Sequence, residues 1–152
     1  MNFQSIKNID VSGKRVLVRV DLNVPARRGK VMDTTRIDRL KASIDYLRGE
    51  GAKILILSHF GRPEGEQNPE MSLAFLIPTL EQCWGCEISF AQDCIGEKAQ
   101  KVVDTMQPGD VTVLENVRFH KGEKANDPEF VQQLAALGDI YVNDAFSAAH
   151  RS

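Results

Sequence analysis

Residues Lys53–Leu57, KILIL, constrain the fold more than any other stretch of the chain. Four apolar residues run unbroken, with Gly51 and Ala52 before the lysine and Ser58 and His59 after the run. The run is shorter than an ordinary helix and lacks the alternation of a strand with one wet face. It fits a strand buried on both faces, as in parallel sheets covered by helices. Arg15–Asp21 (RVLVRVD), Glu87–Phe90, Val111–Leu114 and Ile140–Asn143 read as four more strands.

Helical spacing fills the gaps between them. Ile37, Leu40, Ile44 and Leu47 recur at helical period over Thr35–Leu47, with Asp33 or Thr34 as cap and Gly49 or Gly51 as stop. Ser72–Cys83 is helical but carries Pro78, so this helix begins near the proline or kinks there. Glu97–Met106 ends before Pro108-Gly109. The last helix has Asn126 or Asp127 as cap, Pro128 as its first residue and Gly138 at its close. Phe130, Val131, Leu134 and Leu137 are assigned to its core side. Strand and helix alternate with no repeat, low-complexity tract or linker. The expected fold is α/β: a doubly wound, Rossmann-like parallel sheet with helices on both faces. With 152 residues there is room for one such domain and a core of its own.

Charge excludes some partners. A net charge of -2 gives no general attraction to nucleic acid or to an anionic membrane. No window approaches the roughly 20 apolar residues of a spanning helix. The opening MNFQSIKNID lacks the basic start and apolar stretch of a signal peptide, so a cytoplasmic location is expected.

In doubly wound folds, ligands bind outside the carboxyl ends of the strands. The residues that follow each strand are therefore the informative ones. Asp21, Asn23, Arg27, Arg28, Lys30 and Arg36 follow the first, and His59 and Arg62 the second. Glu115, Asn116, Arg118, His120, Lys121 and Lys124 follow Val111–Leu114, and Asn143, Asp144, His150 and Arg151 the last strand. A slightly acidic chain thus gathers cations on one rim. Arginine's planar fork matches carboxylate and phosphate oxygens. At about 1.5–3 kcal/mol per charge-assisted hydrogen bond, three or four arginines can hold a small phosphorylated acid at micromolar affinity, roughly 8 kcal/mol. Gly61 allows close approach of backbone to ligand, and Pro25 and Pro63 stiffen the loops.

Plainer readings stand beside this one. Asp21 and Asn23 also suit turns or caps, and His59 also suits a structural role. Lys121, Lys124, Arg27 and Arg28 read as solvated charge. Convergence favours the site: His59, Arg62, Arg118 and Arg151 come from three separate strand ends. No GxSxG, GxxxxGK[ST] or GxGxxG occurs, so covalent nucleophile, P-loop and dinucleotide fingerprint are all missing. Positioning and charge neutralisation remain, which is what phosphoryl transfer asks of a protein. Cys83 and Cys86 form a CxxC, with Cys94 nearby. Zinc takes four ligands, and all three histidines sit in other loops, so small buried or half-buried thiols are the expected reading and no metal site is assigned.

RVLVRVDLNVP (15–25), TTRI (34–37), SHFGRP (58–63), LENVRF (114–119), NDPEF (126–130) and YVNDAFSAAHR (141–151) together resemble the phosphoglycerate kinase family, in order and over nearly the whole chain. The resemblance implies a glycolytic kinase that moves a phosphoryl group between 1,3-bisphosphoglycerate and ADP, giving 3-phosphoglycerate and ATP with magnesium on the nucleotide. It implies that Asp21 and Asn23 bind the hydroxyl end of the substrate. His59, Arg62, Arg118 and Arg151 would surround the distal phosphate. Arg36 would be the catalytic group, facing the carboxyl that accepts phosphoryl. Ser147 and Ala148 depart from the family's usual Gly and Thr.

The family has a second, nucleotide-binding domain, so residues 1–152 are expected to be the 3-phosphoglycerate-binding domain, incomplete at its carboxyl end. Mg-ATP or Mg-ADP would belong to the full-length enzyme, expected as a monomer, and not to this segment. Alone, the segment is expected to lack kinase activity and to self-associate through uncovered apolar surface. A non-catalytic small-anion-binding module is the alternative reading.

Overall fold

A computed structural model describes residues 6–61, 69–120 and 127–143. Five strands form one parallel sheet: β1 (Arg15–Arg19), β4 (Lys53–Leu57), β5 (Ile88–Ala91), β6 (Val111–Leu114) and β7 (Ile140–Asn143), in the order β5-β6-β4-β1-β7. Two short strands, β2 (Ala26–Arg27) and β3 (Lys30–Val31), form a separate hairpin that the sequence pattern does not announce. Arg27 and Arg28 are exposed there, as expected of solvated charge.

Alternate side chains of β1, β4, β5 and β6 enter two cores. Val16, Val18, Ile54, Ile56 and Val113 face α1 (Thr35–Asp38), α2 (Lys41–Gly49) and α3 (Ile77–Trp84). Leu17, Leu55, Leu57 and Leu114 face α4 (Gly96–Asp104) and α5 (Pro128–Ala135). Burial on both faces is why KILIL can be apolar throughout.

Several local expectations are refined. The single helix expected over Thr35–Leu47 is two, broken at Arg39-Leu40. The indole Nε1 of Trp84 donates to the Ile37 carbonyl at 2.9 Å, and the Leu40 amide turns in to the same oxygen at 3.1 Å. That carbonyl would accept the residue 41 amide in a continuous α-helix, so a tertiary contact takes its place. Thr34 is the N-cap residue but makes no side-chain cap bond; Asp33, one residue earlier, accepts the Thr35 amide at 2.9 Å instead. Pro78 marks a helix start: a 3-10 turn over Leu73–Leu76 leads into α3, which carries the proline in its first turn. Asp127 caps α5. Val131 is corrected: it is 47% exposed, while Phe130 and Leu137 are buried. Gly138 closes the segment for a packing reason, since a Cβ there would lie 2.6 Å from Leu17 Cγ.

The crossovers after β1 and β4 run toward β5 on one face. Those after β5 and β6 run toward β7 on the other. The connections leaving neighbours β4 and β6 therefore diverge, and the crevice beyond their carboxyl ends is the topological switch point.

Candidate functional site

The chain leaves β1 through a tight turn in which Asp21 Oδ1 accepts the Asn23 amide at 2.9 Å. Arg36, in the first turn of α1, reaches back to it. Its Nη1 lies 3.1 Å from Asp21 Oδ2 and donates to the Asn23 carbonyl at 3.2 Å. Asn23 Oδ1 accepts the Gly61 amide at 3.1 Å, which ties the end of β1 to the loop after β4. Three of the expected site residues, Asp21, Asn23 and Arg36, thus form one network. Both Arg36 contacts use Nη1, so its Nη2 edge is not engaged by the described residues. Arg36 and Asp21 are 48% and 40% exposed. An ion pair so wet is worth about 0–1 kcal/mol and rearranges readily for a ligand.

The β4–β6 crevice rests on buried polar groups instead. Ser58 Oγ accepts the Leu22 amide at 2.9 Å and donates to the His59 carbonyl at 3.1 Å. The Val117 amide donates to the Ser58 carbonyl at 3.1 Å, linking the loops after β4 and β6. Asn116 is fully buried; its Nδ2 donates to the Phe60 and Met71 carbonyls at 2.8 and 2.9 Å, and its Oδ1 accepts the Arg118 amide at 3.0 Å. Buried Glu115 accepts from Ser72 Oγ at 2.6 Å and from the Leu73 and Asn116 amides at 2.9 Å. His59 and Arg118, both half-buried, are carried by this frame. Arg62 and Arg151, the other two residues expected around a distal phosphate, lie outside the described residues, as do Lys121 and Lys124.

Glu115 and Asn116 were legible on the rim, but not their task as its scaffold. The available signal is two polar residues placed directly after a fully apolar strand. Gly61 has φ +64, and a Cβ there would meet Met71 Sδ at 3.0 Å, so the turn itself demands glycine.

The thiols split between the two cores. Cys83 and Cys86 pack on the α1–α3 face, and burial pushes both thiols up from their ordinary value, which disfavours the reactive thiolate. Cys94 is buried in the opposite core, so the three sulfurs cannot share one metal or one redox centre. Asp33 is held below the usual carboxylate value by the Thr35 hydroxyl and amide.

Fold and rim define a doubly wound α/β domain with a switch-point crevice framed by hydrogen-bonded strand ends and flanked by cations. The sequence profile "Phosphoglycerate kinase" matches residues 6–152. The chain belongs to the phosphoglycerate kinase family. It is 58% identical over 151 residues to the phosphoglycerate kinase of Agrobacterium fabrum and 54% identical over 152 residues to that of Rhodospirillum centenum. These matches cover 99% and 100% of this chain but 38% of either relative, so the chain spans well under half their length. The crystal structure of phosphoglycerate kinase from Pyrococcus horikoshii superposes with a TM-score of 0.83 at 29% identity, covering 95% of this chain and 37% of that one. The enzyme structure from Coxiella burnetii gives 0.81 at 36% identity over 95% and 36%. Among the described residues, no helix is long and apolar enough to cross a membrane.

Proposed function

We propose that these residues are the 3-phosphoglycerate-binding domain of a cytoplasmic, monomeric phosphoglycerate kinase. The whole enzyme moves a phosphoryl group reversibly between 1,3-bisphosphoglycerate and ADP, giving 3-phosphoglycerate and ATP. The observation that carries this reading is the Asp21–Asn23–Arg36–Gly61 network, which joins two strand ends beside the switch point in a member of this family.

Each residue then has a task that its chemistry suits. Asp21 accepts hydrogen bonds from the substrate hydroxyl and orients Arg36. Asn23 holds the rim closed through Gly61. Arg36 presents its Nη2 edge, which no described residue engages, to the substrate carboxylate and neutralises charge on the transferring phosphoryl group, an electrostatic role. The nucleophile in the ATP-consuming direction is the substrate's own carboxylate, so the protein needs no serine or cysteine for it. His59 and Arg118, together with Arg62 and Arg151, hold the distal phosphate by charge-assisted hydrogen bonds.

Of the rim carboxylates, Glu115 is already taken by Ser72 and two amides, and Asp21 is assigned to Arg36 and the substrate hydroxyl. In this reading a second domain of the whole enzyme binds the nucleotide.

Calorimetric titration tests the proposal. The protein should bind 3-phosphoglycerate at around micromolar affinity, roughly 8 kcal/mol, and inorganic phosphate far more weakly. Equal affinity for the two anions would support a generic small-anion module and sink the specific reading.

A further inference from the structure

A second cluster of reactive side chains lies on the opposite face of the sheet from Cys83 and Cys86. Asp93 and Cys94 follow β5, and His120 follows the 3-10 turn at Val117–Phe119 after β6. One ligand atom from each of the three lies within 4.8 Å of the other two. We propose that Asp93, Cys94 and His120 form a binding site for one borderline-soft divalent transition cation, Zn2+ in class. This inference does not rest on the proposed kinase activity.

The donor set chooses the cation. One thiolate sulfur, one imidazole nitrogen and one carboxylate oxygen match zinc and its neighbours. Magnesium and calcium demand oxygen ligands, and more of them. Three protein ligands leave the fourth tetrahedral position to water. Access is available, because His120 and Asp93 are 30% and 26% exposed, while Cys94 is fully buried.

The geometry is close to what binding needs. With metal–ligand bonds of about 2.0–2.3 Å, tetrahedral edges come to roughly 3.3–3.6 Å. The outer separation of up to 4.8 Å must therefore close by about 1.2–1.5 Å, and the His120 Nε2–Asp93 Oδ1 contact, now 2.6 Å, must open by about 0.7 Å to reach such an edge. The frame around the cluster is fixed in advance. Asp93 Oδ1 accepts the Cys94 and Ile95 amides at 2.7 and 3.4 Å, while Oδ2 takes no hydrogen bond among the described residues. The His120 ring packs against Phe130 with centroids 5.5 Å apart, which orients the imidazole. On binding, the Cys94 thiol releases its proton to solvent, His120 turns a nitrogen lone pair to the cation, and Asp93 offers a carboxylate oxygen.

Cobalt(II) titration of the purified protein tests this, since a thiolate–cobalt charge-transfer band reports sulfur ligation. One equivalent should give the band, and one equivalent of Zn2+ should erase it. C94A should lose the band, and H120Q should weaken cobalt binding by roughly 100-fold, at least the loss seen when a supporting residue is removed. The double variant C83A/C86A should keep wild-type binding. H120Q alters a partly exposed side chain, so it decides the matter even if C94A fails to fold. No band in the wild-type protein, wild-type affinity in H120Q, or a band that disappears only in C83A/C86A would overturn the proposal.

Discussion

The two edges of the crevice are built by opposite means. On the β1 side, Asp21 and Arg36 meet in water, and their pairing is worth little by itself. On the β6 side, Asn116 and Glu115 are buried, and each is held by three or more hydrogen bonds. The first edge can rearrange around a charged ligand, whereas the second sets the distance between strand ends. A site for a small anion needs both, because preorganisation lowers the ordering cost of binding.

Substitution should separate the two. Asn116→Ala strands the Phe60 and Met71 carbonyls and the Arg118 amide, and should cost about 3 kcal/mol in urea-melt stability. Arg36→Ala should leave stability within about 0.5 kcal/mol. In 3-phosphoglycerate titrations, however, it should lose about 1.5–3 kcal/mol of binding, the worth of a charge-assisted hydrogen bond. Comparable stability losses in both variants would erase the distinction between the edges.

A further, modest effect lies away from the crevice, at the Arg15–Asp139 clasp that joins β1 to the start of β7. Asp139 Oδ2 accepts the Arg15 amide at 2.8 Å, and the Arg15 guanidinium lies 3.3 Å from Oδ1. The amide, then the guanidinium, hold this carboxyl below its ordinary value of 3.8. A depressed folded pKa means that stabilisation is present above the unfolded value and is lost as pH falls through the folded one. Asp139→Ala should cost about 1 kcal/mol at pH 7. In acid melts that difference should shrink below pH 3.8. A difference that grows in acid would reverse the assigned sign.

What the sequence reveals and what it hides divide along physical lines. β4 lies where KILIL places it, since a two-sided core leaves an unbroken apolar signature. The convergence of Asp21, Asn23 and Arg36 follows from the rule that strand ends share one edge. The break between α1 and α2 was not legible, because the Trp84 indole that causes it lies 47 residues from Ile37. Val131 was misassigned because Phe130, Leu134 and Leu137 already make a complete helical stripe, and the residue next to Phe130 turns outward. Asn116 gave no sign of burial, since spacing does not say which polar residue a crevice encloses. The approach of His120 to Asp93, 27 residues apart, was equally hidden, since in sequence the histidine and the cysteine belong to different loops.

Backbone amide spectra recorded during a 3-phosphoglycerate titration test most directly whether the separate strand ends make one site. The amides of Asn23, Gly61 and Arg118 should shift together along a single binding curve. Shifts confined to one strand end, or curves with different midpoints for the three amides, would contradict a shared site.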